Sequence, residues 1–99
     1  MPEQTKKEIE KIEQRADNLL KKVKQTPKNA MKALKKEFKE LHSDGKKLVA
    51  RIDRKADKAE EKTRKALASL KQRTQKLLKR LSDSWSEVSD EPLYESQLE

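Results

Sequence analysis

The chain has 99 residues, of which 44% are charged and 31% are hydrophobic, so it has room for one small domain with little core material. It contains no cysteine and a single histidine, which excludes disulfides, thiolate metal sites and a histidine metal cluster. No apolar run approaches the roughly 20 residues that a membrane span needs. The N-terminus also lacks the apolar core of a signal peptide. These features predict a soluble, intracellular protein.

Charge divides the chain into two parts. All 26 Lys and Arg precede Ser82, together with 12 acids, which gives residues 1–81 a formal charge of +14. The charged residues of 82–99 are all acidic, six in number, and several serines lie among them. The sequence therefore predicts a basic helical body over residues 1–82 and an acidic, flexible tail over residues 83–99.

The first predicted helix begins near Thr5. Thr5 followed by Glu8 is typical of a capping box, in which each side chain satisfies a backbone amide at the helix start. Apolar residues then recur every three or four positions, as on one face of a helix: Ile9, Ile12, Ala16, Leu19 and Val23.

Pro27 allows two predictions. It either opens a second helix with Thr26 as the N-cap, or kinks one continuous helix, since the apolar spacing continues from Val23 through Leu34.

Residues 43–45, Ser-Asp-Gly, are the clearest turn signal in the chain, because glycine tolerates positive φ and aspartate can cap the next helix. From Leu48 to Leu81 the apolar period runs without Pro or Gly, which predicts one helix of about 36–40 residues. Its middle, between Ala56 and Ala66, is rich in Ala and Thr.

The predicted fold class is all-α: a long antiparallel helical hairpin of coiled-coil type, or a three-helix bundle, followed by the disordered acidic tail. Folding a hairpin at Gly45 would place Glu13 near Arg73, and Asp53 near Lys35. Two helices alone bury too little apolar surface to offset their conformational entropy. A break at Pro27 or self-association into a four-helix bundle would supply the missing contacts.

Catalysis is excluded by composition, since no nucleophile, base and orienting group can be assembled with no Cys and one His. One glycine cannot form a phosphate-binding glycine loop. We therefore expect no enzyme activity, catalytic residue, cofactor or metal. His42, placed beside the predicted turn, is interpreted as a C-terminal helix cap.

A basic stripe is the strongest functional signal. Its members repeat at helical spacing with one interruption at Ser69: Lys47, Arg51, Arg54, Lys58, Lys62, Lys65, Arg73, Lys76 and Arg80. A shorter stripe on helix 1 contains Lys7, Lys11, Arg15 and Lys22. Such stripes can neutralise a polyanion, most plausibly nucleic-acid backbone, without reading sequence. The alternative is that they only solubilise a helical protein. A membrane surface is disfavoured as a partner, because the apolar face is narrow and lacks bulky residues in its middle.

Residues 78–85, Leu-Lys-Arg-Leu-Ser-Asp-Ser-Trp, resemble the BH3 motif of apoptotic regulators. The resemblance covers eight residues and departs from the motif at Thr74, where an upstream apolar anchor is expected. It implies an amphipathic helix that docks into a groove on a partner protein, with Leu78, Leu81 and Trp85 as apolar anchors and Asp83 as the ionic contact. A helical scaffold or adaptor that binds a protein through this segment is thus the alternative function.

The acidic tail has its own predicted role. Its spaced apolar residues suit a segment that folds onto a basic surface, including the chain's own stripe. In that case the tail would compete with an external anion, and its removal would tighten anion binding.

Overall fold

A computed structural model describes residues 2–94, which form three long helices. These are α1 (Pro2–Gln25), α2 (Met31–Asp57) and α3 (Glu61–Ser89), with a short 3-10 helix (Lys28–Ala30) before α2. No strand occurs in this part of the chain. The all-α prediction is confirmed.

Helix α1 starts earlier than predicted. It begins at Pro2, because proline at the first helical position has no amide hydrogen to leave unpaired. Thr5 is fully buried inside the helix, and its hydroxyl accepts a hydrogen bond from Lys55 Nζ at 3.2 Å. The predicted capping box at Thr5 is therefore wrong, and this residue links α1 to α2.

Pro27 separates two helices. Its extended backbone (φ −69°, ψ 158°) ends the helical path after Gln25, and the 3-10 turn begins as the Ala30 amide donates to the Pro27 carbonyl at 3.0 Å. The Thr26 hydroxyl donates back to the Lys22 carbonyl at 2.6 Å. The Thr26 side chain thus satisfies a backbone carbonyl at the end of α1 and does not serve as the predicted N-cap of the following helix.

The turn predicted at residues 43–45 is wrong, because these residues lie in the middle of α2. Gly45 is buried with ordinary helical φ, and a Cβ added to it would lie 3.3 Å from Leu78 Cγ and closer still to Leu78 Cδ2. Glycine is needed here for the close approach of α3. His42, one turn earlier, is buried in mid-helix and is not a helix cap.

The second chain reversal falls in the predicted long helix, at residues 58–60. Lys58 and Ala59 donate backbone hydrogen bonds to the carbonyls of Lys55 and Ala56, each at 3.2 Å, which closes α2. The Arg64 side chain reaches back to the carbonyls of Ala56 and Ala59, also at 3.2 Å each. A straight helix would leave the apolar stripes of both halves uncovered, whereas the turn lets α3 pack on α1 and α2.

The three helices run up, down and up, and each contacts the other two. Helices α2 and α3 are antiparallel: Asp53 pairs with Lys71 at 2.7 Å, and Phe38 packs on Trp85 with ring centroids 5.3 Å apart. Helices α1 and α3 are parallel, since Glu13 contacts Arg73 and Asp17 contacts Arg80 further along both helices. The hairpin register is therefore wrong, although it did bring Glu13 to Arg73.

A single apolar core lies between the helices. Its largest fully buried members are Trp85, Phe38, Ile9, Leu34, Leu41, Leu48, Ile52, Leu81, Leu93 and Val23. Val88 is the one exposed large hydrophobic residue in the described part. The third helix covers the seam within one chain, which removes the physical reason for expecting self-association.

The predicted boundary at residue 83 does not interrupt the structure. Helix α3 continues to Ser89, Asp90 then adopts a left-handed conformation (φ 62°), and Leu93 is fully buried. Aspartate tolerates this conformation better than most residues and ends the helix as glycine would. The part of the tail over residues 83–94 is thus ordered against the helices, and residues 95–99 lie outside the described part. None of the described helices has the length and hydrophobicity that a bilayer crossing requires.

Candidate functional site

The two predicted basic stripes meet at one groove. This groove lies between α1 and α2 and has a volume of about 640 Å³. Its charged lining comprises five cations and two carboxylates: Lys11, Arg15, Lys47, Arg51 and Arg54, with Glu8 and Asp44. Antiparallel packing produces this arrangement, because it sets the first half of α1 beside the second half of α2.

A ladder of three ion pairs runs along the same helix interface. Glu8 contacts Arg51 at 2.9 Å, Arg15 contacts Asp44 at 3.0 Å, and Lys22 contacts Glu37 at 3.3 Å. Each step of seven residues forward on α1 is matched by seven residues backward on α2. One heptad is two helical turns, so the three pairs lie on the same edge of each helix. We infer that the ladder sets the register of α1 on α2.

The groove has an excess of positive charge. Both of its carboxylates are already engaged, Glu8 by Arg51 and Asp44 by Arg15. Lys11, Lys47 and Arg54 are exposed and make no ion pair with a carboxylate of the described chain. These three cations are available to an anion from outside.

The other predicted basic residues divide into two groups. Lys58, Lys62 and Lys65 lie around the reversal between α2 and α3, where Lys65 pairs with Glu61 of its own helix at 3.9 Å. All of them are exposed. The part of the stripe predicted to run without interruption from Lys47 to Lys65 is therefore divided by the chain reversal.

Arg73, Lys76 and Arg80 lie on α3, and Lys76 and Arg80 line a second groove of about 470 Å³ together with Leu20 and Lys24 of α1. Arg73 donates two hydrogen bonds to Glu13, at 2.8 and 2.6 Å, and these bonds raise the pKa of the Arg73 guanidinium. Arg80 lies 3.8 Å from Asp17. Two of these three cations are thus used within the fold, and this groove also contains Asp83 and Glu87.

The residues predicted to dock on a protein partner are mostly internal. Leu81 and Trp85 are 0% and 1% exposed, and Leu78 packs against Gly45. Only Asp83 is on the surface. In this fold the three apolar anchors are core residues, and α3 would have to leave α1 and α2 before they could enter a partner's groove.

The described part of the tail contacts a different side of α2 from the α1–α2 groove. Lys35 Nζ lies 3.4 Å from Glu91, and the ammonium groups of Lys39 and Lys46 each lie 5.6 Å from the Tyr94 ring centroid. None of these lysines belongs to the predicted binding set. Within the described residues, no carboxylate of the tail forms an ion pair with a lysine or arginine of the predicted binding set. The predicted competition between the tail and an external anion is therefore not supported by any such contact.

Sequence reasoning identified both stripes but did not bring them together. The missed signal was the heptad spacing of Glu8, Arg15 and Lys22 against Glu37, Asp44 and Arg51, whose charges are opposite in reversed order. That pattern would have paired α1 with α2 and placed Lys11 beside Lys47. No comparable sequence pattern predicts the role of Arg64 at the chain reversal.

Within residues 2–94, no group of three or more His, Asp or Glu side chains comes together to hold a metal ion. Comparison of the chain with family models, with curated proteins and with solved structures finds no match.

Proposed function

We propose that this chain is a non-enzymatic helical protein that binds a polyanion, nucleic-acid backbone, in the groove between α1 and α2. The observation that carries the proposal is the meeting of two basic stripes at that groove, where Lys11, Lys47 and Arg54 make no ion pair with a carboxylate of residues 2–94. A phosphate backbone presents closely spaced negative charges, which lysine and arginine neutralise as counterions are released.

The ion pairs of the groove oppose anion binding only weakly. Arg15 and Arg51 remain about half exposed, with side-chain accessibilities of 51% and 50%. Solvent-exposed pairs of this kind contribute about 0–1 kcal/mol. A phosphate can therefore share or replace the carboxylate partner at small cost, and the arginine fork can donate two hydrogen bonds to phosphate oxygens.

Binding of this type would not read base sequence. Base stacking on single strands uses exposed aromatic rings, and Phe38 and Trp85 are buried in the core. The groove itself is lined by no aromatic side chain. The expected contact is with phosphate alone, with similar affinity for different sequences and strong dependence on salt.

The test is a salt series of binding to a generic DNA duplex, measured by fluorescence anisotropy. The double variant Lys11→Gln/Lys47→Gln removes one groove cation from each helix. If each lysine neutralises a phosphate, the slope of log affinity against log salt should decrease in magnitude by about 1.8, since each contact contributes about 0.9.

The matched control is Lys28→Gln/Lys32→Gln. Both residues are exposed lysines beside the Pro27 turn, outside the groove, and both double variants lower the net charge equally. The control should keep a slope close to that of the parent chain. An equal decrease of the slope in both double variants would indicate that binding depends on overall charge, and it would contradict the groove as the binding site. Absence of binding at low salt would remove the proposed function.

A further inference from the structure

The end of the described chain forms a strap across α2. After the left-handed turn at Asp90, residues 90–94, here called the strap, fold back toward the middle of α2. Three contacts hold it: Leu93 is fully buried, Glu91 pairs with Lys35 at 3.4 Å, and the Tyr94 hydroxyl donates to the Lys39 carbonyl at 3.3 Å. The strap is short, and it has its own set of contacts with α2.

The one histidine of the chain lies beneath the strap. His42 is 6% exposed, and its ring packs on Tyr94 with centroids 5.2 Å apart and planes inclined by 58°. Its Nδ1 atom is buried and has no hydrogen-bond partner among residues 2–94. A neutral imidazole tolerates this position, whereas an imidazolium would bury a second N–H donor and a full charge.

Among residues 2–94, the charged groups nearest to His42 on the same face of α2 are cations. On α2, Lys39 and Lys46 lie one turn before and after it, and their ammonium groups approach the same Tyr94 ring. On the strap, Glu91 is directed to Lys35. On α3, Trp85 packs on Phe38 and Leu78 lies against Gly45, so this register places the uncharged residue Leu81 level with His42. On the other side of α2, the α1 cations Arg15 and Lys22 are paired with Asp44 and Glu37.

From this geometry we propose that the strap is a proton-sensitive latch: neutral His42 holds residues 90–94 on α2, and protonated His42 releases them while the three helices stay folded. Release gives the imidazolium access to water and separates it from the ring that Lys39 and Lys46 already share.

The direction of the pH effect follows from linkage. Burial, and secondarily the charge of Lys46, lower the pKa of docked His42 below its ordinary value of 6.5, and release of the strap would raise this pKa back toward 6.5 because it removes part of the burial. The released state then binds more protons, so docking is fully favoured above that value and weakens as the pH falls below it. One proton is taken up, and the ratio of docked to released chain can fall by at most about tenfold per pH unit.

The experiment uses the full chain and nuclear magnetic resonance, with Leu93 methyl and Tyr94 ring shifts as probes of docking. The single imidazole resonance reports His42 without assignment ambiguity. Between about pH 7.5 and pH 5, the Leu93 and Tyr94 shifts should move to solvent-exposed values at the same midpoint as His42, while helical circular dichroism is retained.

His42→Phe keeps an aromatic partner for Tyr94 and cannot titrate, so its strap should remain docked at about pH 5; His42→Gln is the second non-titrating variant if the first does not fold. Tyr94→Ala should raise the His42 titration midpoint toward 6.5, because the ring that buries the imidazole is gone. The latch is overturned if the parent strap stays docked at about pH 5, if both non-titrating variants release it as the parent does, or if helical signal is lost together with docking.

Discussion

Replacing Gly45 by alanine has two opposite effects on stability, a favourable one through helix propensity and an unfavourable one through packing. Alanine in a helix interior is favoured over glycine by about 0.5–1 kcal/mol. The new methyl group would overlap the Leu78 side chain, whose Cγ lies 3.3 Å from the added Cβ position. Overpacking of a filled core costs about 1–3 kcal/mol. We therefore expect Gly45→Ala to lower the free energy of unfolding by about 1 kcal/mol.

The sign of this effect should reverse when Leu78 is shortened. Leu78→Ala alone should cost about 2–5 kcal/mol, as expected for a buried leucine. In that background the methyl group introduced at position 45 meets no side chain and fills part of the space left by Leu78. Gly45→Ala should then stabilise by about 0.5–1 kcal/mol, which gives a coupling energy of about 1–3 kcal/mol between the two positions.

Urea unfolding of the parent, the two single variants and the double variant, followed by circular dichroism, measures this coupling. The slope of stability against urea should stay constant across the four proteins, so that midpoints compare stabilities directly. Equal destabilisation by Gly45→Ala in both backgrounds would refute the contact between α2 and α3. It is the result expected if Gly45 were a turn residue with positive φ, because alanine is then strained whatever lies at position 78.

Three further predictions concern the core, the chain reversal and the surface. Trp85→Ala should lower the free energy of urea unfolding by about 3–5 kcal/mol. Trp85→Phe should lower it by only about 1 kcal/mol, because the loss of packing is partly offset by removing a buried indole N–H that has no acceptor among the described residues. Equal costs for the two variants would contradict the core position of the ring. Arg64→Gln should cost about 1 kcal/mol through the loss of two hydrogen bonds to the carbonyls beside the α2–α3 reversal, and unchanged stability would remove that role. Glu13→Gln should cost at most about 1 kcal/mol, with the cost decreasing in high salt, because its partner Arg73 is 41% exposed; a cost independent of salt would argue against an ionic contribution.

The basic surface could be predicted from the sequence because surface position follows from helical period. Every cation of the predicted set, from Lys47 to Arg80, is exposed in the structure. Their grouping could not be predicted in the same way, since it depends on where the chain reverses. The stripe expected on one helix is divided between α2 and α3 by the turn at residues 58–60, and its first members instead join Lys11 across the α1–α2 groove.

The turns show why local signals were insufficient. Pro27 broke the helix because proline acts on its own backbone, whatever surrounds it. Gly45 carries the same kind of local signal but remained helical, because close packing against Leu78 uses its missing side chain. The reversal at residues 58–60 has neither proline nor glycine. It is stabilised by Arg64 and by the burial that α3 gains against the other two helices.

By itself the sequence determined an all-α chain, an interruption at Pro27 that it left open as a break or a kink, the residues of the apolar stripes and the separation of basic from acidic segments. Each of these depends on spacing along one helix, on one residue's backbone or on composition. The tertiary structure alone decided the second reversal, the ladder from Glu8 to Lys22, the burial of Trp85 and the docking of Leu93. These depend on how much apolar surface each arrangement covers, which is a property of the packed helices and not of any segment read alone.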